Sequence, residues 1–175
     1  MKYLSLFSGI SGGDLALQHY HNFECLGYLD FSKYCVKIIE QRIKDGLLSD
    51  APIFHCDIRR FIKEGYAGLY SGVVDAISAG PPCQPSSTAG KKLGEADRRN
   101  MWPQTIECIR IIRPREVYLE NVSGLLQDSY YYGKILGDLA SSGYITGWKM
   151  LSCAELDGSH KRDRVWIVAN LTGTG

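Results

Sequence analysis

A doubly wound α/β fold is what this sequence predicts, and two observations predict it. Apolar runs of strand length alternate with segments whose apolar residues recur at helical spacing, the pattern of a mostly parallel sheet flanked by helices. The residues equipped for chemistry, Gly9, Asp30, Asp57, Cys83 and Glu120, fall where the strands end, at the carboxyl edge where such sheets bind ligands. At 175 residues the chain is expected to form a single domain, 1–175, with a core that needs neither disulfides nor metal.

Each element follows in order. Residues 2–7 (KYLSLF) read as a first strand, followed by a Gly-rich turn and a short helix from about Asp14 to Tyr20. Residues 24–30 form a second strand closing on Asp30; then Phe31, Tyr34, Cys35, Ile38, Ile39 and Ile43 recur at helical spacing, with Gly46 as the stop. Residues 52–56 are a short third strand before Asp57, and residues 73–79 (VVDAISA) a fourth, apolar enough for burial on both faces. A Gly-, Pro-, Ser- and Lys-rich loop spans 80–100, a length that marks a functional loop in a compact domain. A helix over 102–112 turns Ile106, Ile109 and Ile112 inward, residues 115–121 make a fifth strand, and a helix over 131–142 stops at Gly143. Residues 144–153 and 164–170 complete the sheet.

Composition excludes several classes. No apolar run reaches the roughly 18 residues a membrane span needs. The N-terminus has one lysine and a short apolar run but no signal-peptide cleavage site, so the expected location is the cytoplasm. Net charge is +1, which is not the footprint of a stand-alone nucleic-acid binder, so contact with nucleic acid rests on local patches: Lys91, Lys92, Arg98 and Arg99 in one loop, Lys161, Arg162 and Arg164 in another. The six cysteines form no CxxC pair or zinc-spaced cluster. Five have apolar neighbours and read as free, core-filling thiols; Cys83 stands apart.

Four constellations carry chemistry. FSGISGG, residues 7–13, is a glycine turn after the first strand that lets backbone approach a ligand. Asp30, about twenty residues on, sits where an acid accepts hydrogen bonds from ribose hydroxyls, and Asp57 has the matching place after the third strand. Together they describe a nucleoside crevice, without deciding between a nicotinamide dinucleotide and S-adenosylmethionine; either acid alone is also an ordinary helix cap. GPPCQPSS, residues 80–87, presents a thiol on rigid, proline-flanked backbone, the setting of an activated nucleophile. ENV, residues 120–122, places a carboxylate on an apolar strand, where it needs a partner. In HKRDRVWIVA, residues 160–169, His160, Arg162 and Arg164 alternate and share a face wherever the segment is extended, which suits carbonyl or phosphate oxygens.

In this order and spacing, FxG, PCQ, ENV and HxRxR resemble the cytosine-C5 DNA methyltransferase family over essentially the whole chain. The resemblance implies a Rossmann-like class I S-adenosylmethionine-dependent methyltransferase, its mostly parallel sheet ending in an antiparallel strand pair. It implies S-adenosylmethionine bound by Phe7, Ser8, Gly9 and Gly12, with Asp30 at the ribose, Phe31 beside it, Asp57 at the adenine amine, Ile58 against the ring, and Pro81 at the pocket's edge. It implies Cys83 as nucleophile, Glu120 at the base ring nitrogen, Arg164 at the base carbonyl and Arg162 in support, with Gln84, Ser87, Asn121 and Val122 near the substrate. Two positions depart from the family: Ser11 replaces a frequent glycine, and Ser86 stands where an aromatic usually follows PCQ.

The family pattern continues past the RxR strand into a target-recognition region and a final segment beside the cofactor, and neither is in this sequence. The expectation is therefore a minimal enzyme, or one part of a split enzyme acting on DNA with a partner subunit or as a homodimer. Two other readings stay open: an RNA or nucleotide cytosine-C5 methyltransferase, and a non-catalytic cofactor-binding subunit.

Overall fold

The structure, a computed structural model, describes residues 1–82 and 100–173. The described strands form one seven-stranded sheet: β1 (Lys2–Leu6), β2 (Glu24–Asp30), β3 (Ile53–His55), β4 (Ala76–Ala79), β5 (Glu116–Val122), β6 (Tyr144–Ser152) and β7 (Asp163–Leu171), in the order β3-β2-β1-β4-β5-β7-β6. The first five run parallel, and β7 inserts antiparallel to both β5 and β6. The order reverses at β1, whose neighbours are β2 and β4, and that reversal is the switch point where doubly wound sheets open a crevice.

Helices cover the two faces unequally. On one face α3 (Ile58–Lys63), α4 (Trp102–Ile112) and α5 (Ser129–Ser141) bury Leu4, Leu6, Ile77, Val117, Leu119, Val165 and Ile167. On the other, α1 (Gly12–His21) and α2 (Lys33–Lys44) cover only the β1–β2 side, over Tyr3, Cys25, Tyr28 and Ile39. Strand register places Ser5, Ser78, Tyr118, Glu120, Trp166 and Arg164 on this second face, because Ser5 pairs with Ser78, Ser78 with Tyr118 and Glu120 with Trp166, while Tyr118 and Glu120, like Arg164 and Trp166, stand two apart on one strand. Beyond α1 no described helix covers these residues, and the sheet opens into a cavity.

Most elements match the expectations from sequence, including α4 at its predicted bounds with Ile106, Ile109 and Ile112 buried. Gly143 follows α5 at φ +89°, a conformation that other residues rarely adopt. The differences have local causes. The first strand stops at Leu6 because Phe7 turns to φ +53°. The fourth begins at Ala76 rather than at residue 73, since Val73 and Val74 donate to the Tyr70 carbonyl at the end of a 3-10 turn (Tyr66–Tyr70). Val73 is exposed, against the expectation of burial on both faces. Helix α3 was not foreseen: six residues are too few to show a helical period, and it starts because the Asp57 side chain accepts from Arg59 N at 2.8 Å. Of the five described cysteines, all free, Cys25 and Cys108 are fully buried and Cys35, Cys56 and Cys153 partly so. Burial pushes the Cys25 and Cys108 thiols up to about 12, which keeps them neutral.

Candidate active site

The turn after β1 is tightly coiled. Phe7, Gly9 and Ser11 all have positive φ, at 53°, 57° and 60°, so the backbone coils back on itself before α1 begins. Asp30, at the end of β2, fixes this coil. One carboxylate oxygen accepts from Gly9 N at 2.7 Å and the other from Ser32 N at 2.7 Å. The sequence joined the glycine turn and Asp30 only as walls of one crevice, whereas here they are also directly hydrogen-bonded to each other.

The cavity measures about 280 Å³. Its walls come from the first turn (Phe7, Ser8, Gly13), from β4 and its exit (Ser78, Gly80), and from the β5–β7 pair. In that pair Arg164 Nε lies 2.6 Å from Glu120 Oε1, and Arg164 Nη1 donates to the Asp163 carbonyl at 2.8 Å. The guanidinium is thus held from two sides, which fixes its plane. Gly80 approaches from β4: a Cβ there would lie 3.3 Å from Glu120 Oε2, tighter than most such contacts allow. Asn121 ties the same region together by donating from Nδ2 to the Pro81 carbonyl at 3.1 Å.

Of the residues singled out from sequence, Phe7, Ser8, Glu120, Arg162 and Arg164 line this one cavity. Gly9 lies in the turn behind it, anchored by Asp30 at the end of β2, Gly12 opens α1, and Pro81 is buried at the β4 exit. Phe31 stands 75% exposed beside Asp30, Val122 is exposed at the end of β5, and neither is on the cavity wall. Asp57 caps α3, and Ile58 is buried in the core behind it. His160 sits in an exposed bend before β7, so the predicted common face reduces to Arg162 and Arg164. Cys83, Gln84, Ser87 and the basic residues 91, 92, 98 and 99 lie outside the described residues.

Sequence reasoning missed Trp166, Ser78 and Asp14 on the cavity wall. Trp166 was legible: it lies two residues beyond Arg164 on a strand, hence on the same face. Asp14 was not, because an acid in the first turn of a helix is common on electrostatic grounds alone.

The fold and the site define a Rossmann-like α/β protein with an acid–arginine pair at the edge of a ligand crevice. The chain belongs to the C-5 cytosine-specific DNA methylase family, whose model matches residues 1–175. It is 38% identical over 122 residues to the Type II methyltransferase M.NgoMIV of Neisseria gonorrhoeae, a match covering 69% of this chain and 38% of that protein. It is 27% identical to the Type II methyltransferase M.AquIA of Picosynechococcus, over 98% of this chain and 73% of that one. Among solved structures, the S. pombe Dnmt2 methyltransferase superposes with a TM-score of 0.77 at 21% identity, covering 100% of this chain and 52% of the other, and this likeness shows the fold. The matched segments span well under two thirds of several curated relatives, 38%, 24% and 29% of three of them.

The described residues fit S-adenosylmethionine. The coiled turn contributes Phe7 and Ser8 to the cavity wall, an acid stands at the end of β2, a position from which such folds can accept ribose hydroxyls, and a second acid, Asp14, faces the cavity from α1.

Proposed function

We propose that this chain is the catalytic part of a DNA cytosine-C5 methyltransferase, and the observation that carries the reading is the Glu120–Arg164 pair sharing one cavity with the Phe7–Ser8 turn. Bound S-adenosylmethionine supplies an electrophilic methyl group. Cytosine C5 is too weak a nucleophile to take it unaided. The Cys83 thiolate adds to C6, forming an S–C6 bond, and the displaced electron pair makes the ring an enamine as N3 gains a proton or hydrogen bond from Glu120. Arg164, oriented by Glu120 and the Asp163 carbonyl, donates to the base carbonyl, and Arg162 supports the same edge. C5 then takes the methyl group as the donor's S–CH3 bond breaks and leaves S-adenosylhomocysteine; C5 loses its proton to a base, and the electrons of that C–H bond expel Cys83 as thiolate. The base reaches such a cavity only by leaving its stack. Asp30, with Phe31 beside it, holds the donor's ribose, and Asp57 and Ile58 stand at its adenine.

The match spans 38%, 24% and 29% of three curated relatives, and target recognition is not assigned to the described residues. Sequence readout needs side chains that reach base edges. The deciding experiment is methyl transfer from labelled S-adenosylmethionine to mixed-sequence duplex DNA, wild type beside Cys83→Ser. Label entering DNA with wild type and lost in the variant supports the reading. Label entering RNA or free nucleotides instead of DNA, or surviving in Cys83→Ser, overturns it.

A further inference from the structure

Among the described residues, five ionisable side chains reach the cavity wall: Asp14, Tyr118, Glu120, Arg162 and Arg164. The proposed reaction uses Glu120 and the two arginines at the base, and the Tyr118 hydroxyl is spent on Glu116. Asp14 has no role in it.

Asp14 is the third residue of α1 and only 3% exposed, yet it faces the cavity beside Ser5, Phe7 and Ser8. Its orientation is fixed from behind. The Tyr3 hydroxyl donates to Asp14 Oδ1 at 3.0 Å. Gln18 Nε2 donates to Tyr3 Oη at 2.9 Å and to Tyr28 Oη at 3.1 Å, and Gln18 Oε1 accepts from Ser49 N at 2.6 Å. Every group in that chain is neutral. Burial pushes the Asp14 carboxyl above its ordinary range, offset in part by hydroxyl hydrogen bonds and least by the Arg42 guanidinium, which itself donates to the Ile10 carbonyl. A buried carboxylate with only neutral hydrogen-bond partners lacks a charge partner, and a cation arriving in the cavity supplies one.

The donor assigned to this cavity carries two cationic groups. Its sulfonium has no hydrogen to donate, whereas its α-ammonium has three and matches a carboxylate held by hydroxyls. We infer that Asp14 binds the α-ammonium of the donor's amino-acid moiety, and so selects ligands that carry a primary ammonium beyond the nucleoside. The inference rests on the S-adenosylmethionine reading.

The test is calorimetric and needs no turnover. S-adenosylhomocysteine and its analogue lacking only the amino group are titrated into the wild-type chain and into Asp14→Asn, an isosteric change that keeps an acceptor for Tyr3. Wild type should bind S-adenosylhomocysteine about tenfold to a hundredfold more tightly than the analogue, the range for a hydrogen-bonded charge. In Asp14→Asn that preference should collapse to within about threefold, while analogue affinity stays at its wild-type value. A preference that survives the substitution, or an equal loss for both ligands, overturns the inference and leaves Asp14 as a structural acid of the helix terminus. Should Asp14→Asn fail to fold, equal wild-type affinities for the two ligands overturn it just as well. Wild type binding neither ligand overturns the S-adenosylmethionine reading itself.

Discussion

Arg164 Nε lies 2.6 Å from Glu120 Oε1, and the two residues come from antiparallel strands that the chain connects only after forty-odd residues. Their side chains are 21% and 35% exposed, so the pair is half-solvated and adds little stability, about 1 kcal/mol at most. Its value is orientation. Glu120→Gln should therefore lower the rate of methyl transfer by about 10²-fold to 10⁴-fold, the usual contribution of a positioned acid. S-adenosylhomocysteine affinity should stay within about twofold, and the urea midpoint should barely move. Single-turnover transfer, calorimetry and denaturation on one preparation check all three; a rate near wild type removes Glu120 from the chemistry.

The turn and Asp30 form one unit, so the acid should matter to folding as well as to binding. Asp30→Ala deletes the acceptors of Gly9 N and Ser32 N, both at 2.7 Å and both half-buried. The expected loss is about 2 kcal/mol in urea denaturation, with Asp30→Asn intermediate because its amide retains one acceptor oxygen. Full stability in Asp30→Ala would show that the turn holds its shape without this anchor.

The sheet was legible because its signals are local. Residues 164–170 read as a strand from their own composition, and Val165, Ile167 and Ala169 are the buried side of β7. Alternation also shows which residues share a face, but not what lies against it. That β7 inserts between β5 and β6, and so brings Arg164 to Glu120, is a fact of topology that no window of residues contains. The same holds for Asp14, whose significance depends on Tyr3, Gln18 and Ser49 gathered from three parts of the chain. Helix α3 escaped for the opposite reason: its start is a cap on Asp57, a residue that also suited a ligand-binding role. His160 leaves the common face because it sits in an exposed bend, whereas Arg162, next to the start of β7, still reaches the cavity.

Trp102 is the largest fully buried side chain and opens α4, which follows directly on the segment carrying Cys83. Its indole N–H donates to Asp138 Oδ2 at 2.7 Å, and Asn100 Oδ1 accepts both Trp102 N at 3.0 Å and the Tyr131 hydroxyl at 2.7 Å. Trp102→Phe keeps much of the packing but leaves Asp138 with Lys134 alone among these partners, so a loss of about 1–2 kcal/mol is expected. Trp102→Ala should cost about 3–5 kcal/mol through the cavity it opens. Thermal and urea unfolding measure both, and equal costs would mean that the indole hydrogen bond, rather than packing, anchors this helix.

Acid should loosen the start of the sheet through Asp75. Its carboxylate accepts from Lys2 N at 2.8 Å and from Arg115 Nη2 at 2.9 Å, tying β1 to the approach of β5. The Lys2 backbone N–H, followed by Arg115 and the N-terminal ammonium, holds its carboxyl below the ordinary range. A carboxyl depressed in the folded state stabilises the protein fully above its unfolded pKa, near 4, and the contribution is lost as pH falls through that value toward the folded one. The side chain is 34% exposed, so solvent screening limits the effect to about 1 kcal/mol. Urea midpoints of wild type should therefore exceed those of Asp75→Asn from neutral pH down to about 5, and the gap should narrow as pH falls below about 4. A gap that persists unchanged at pH 3 would assign the difference to packing or to the amide's own hydrogen bonds rather than to the charge on Asp75.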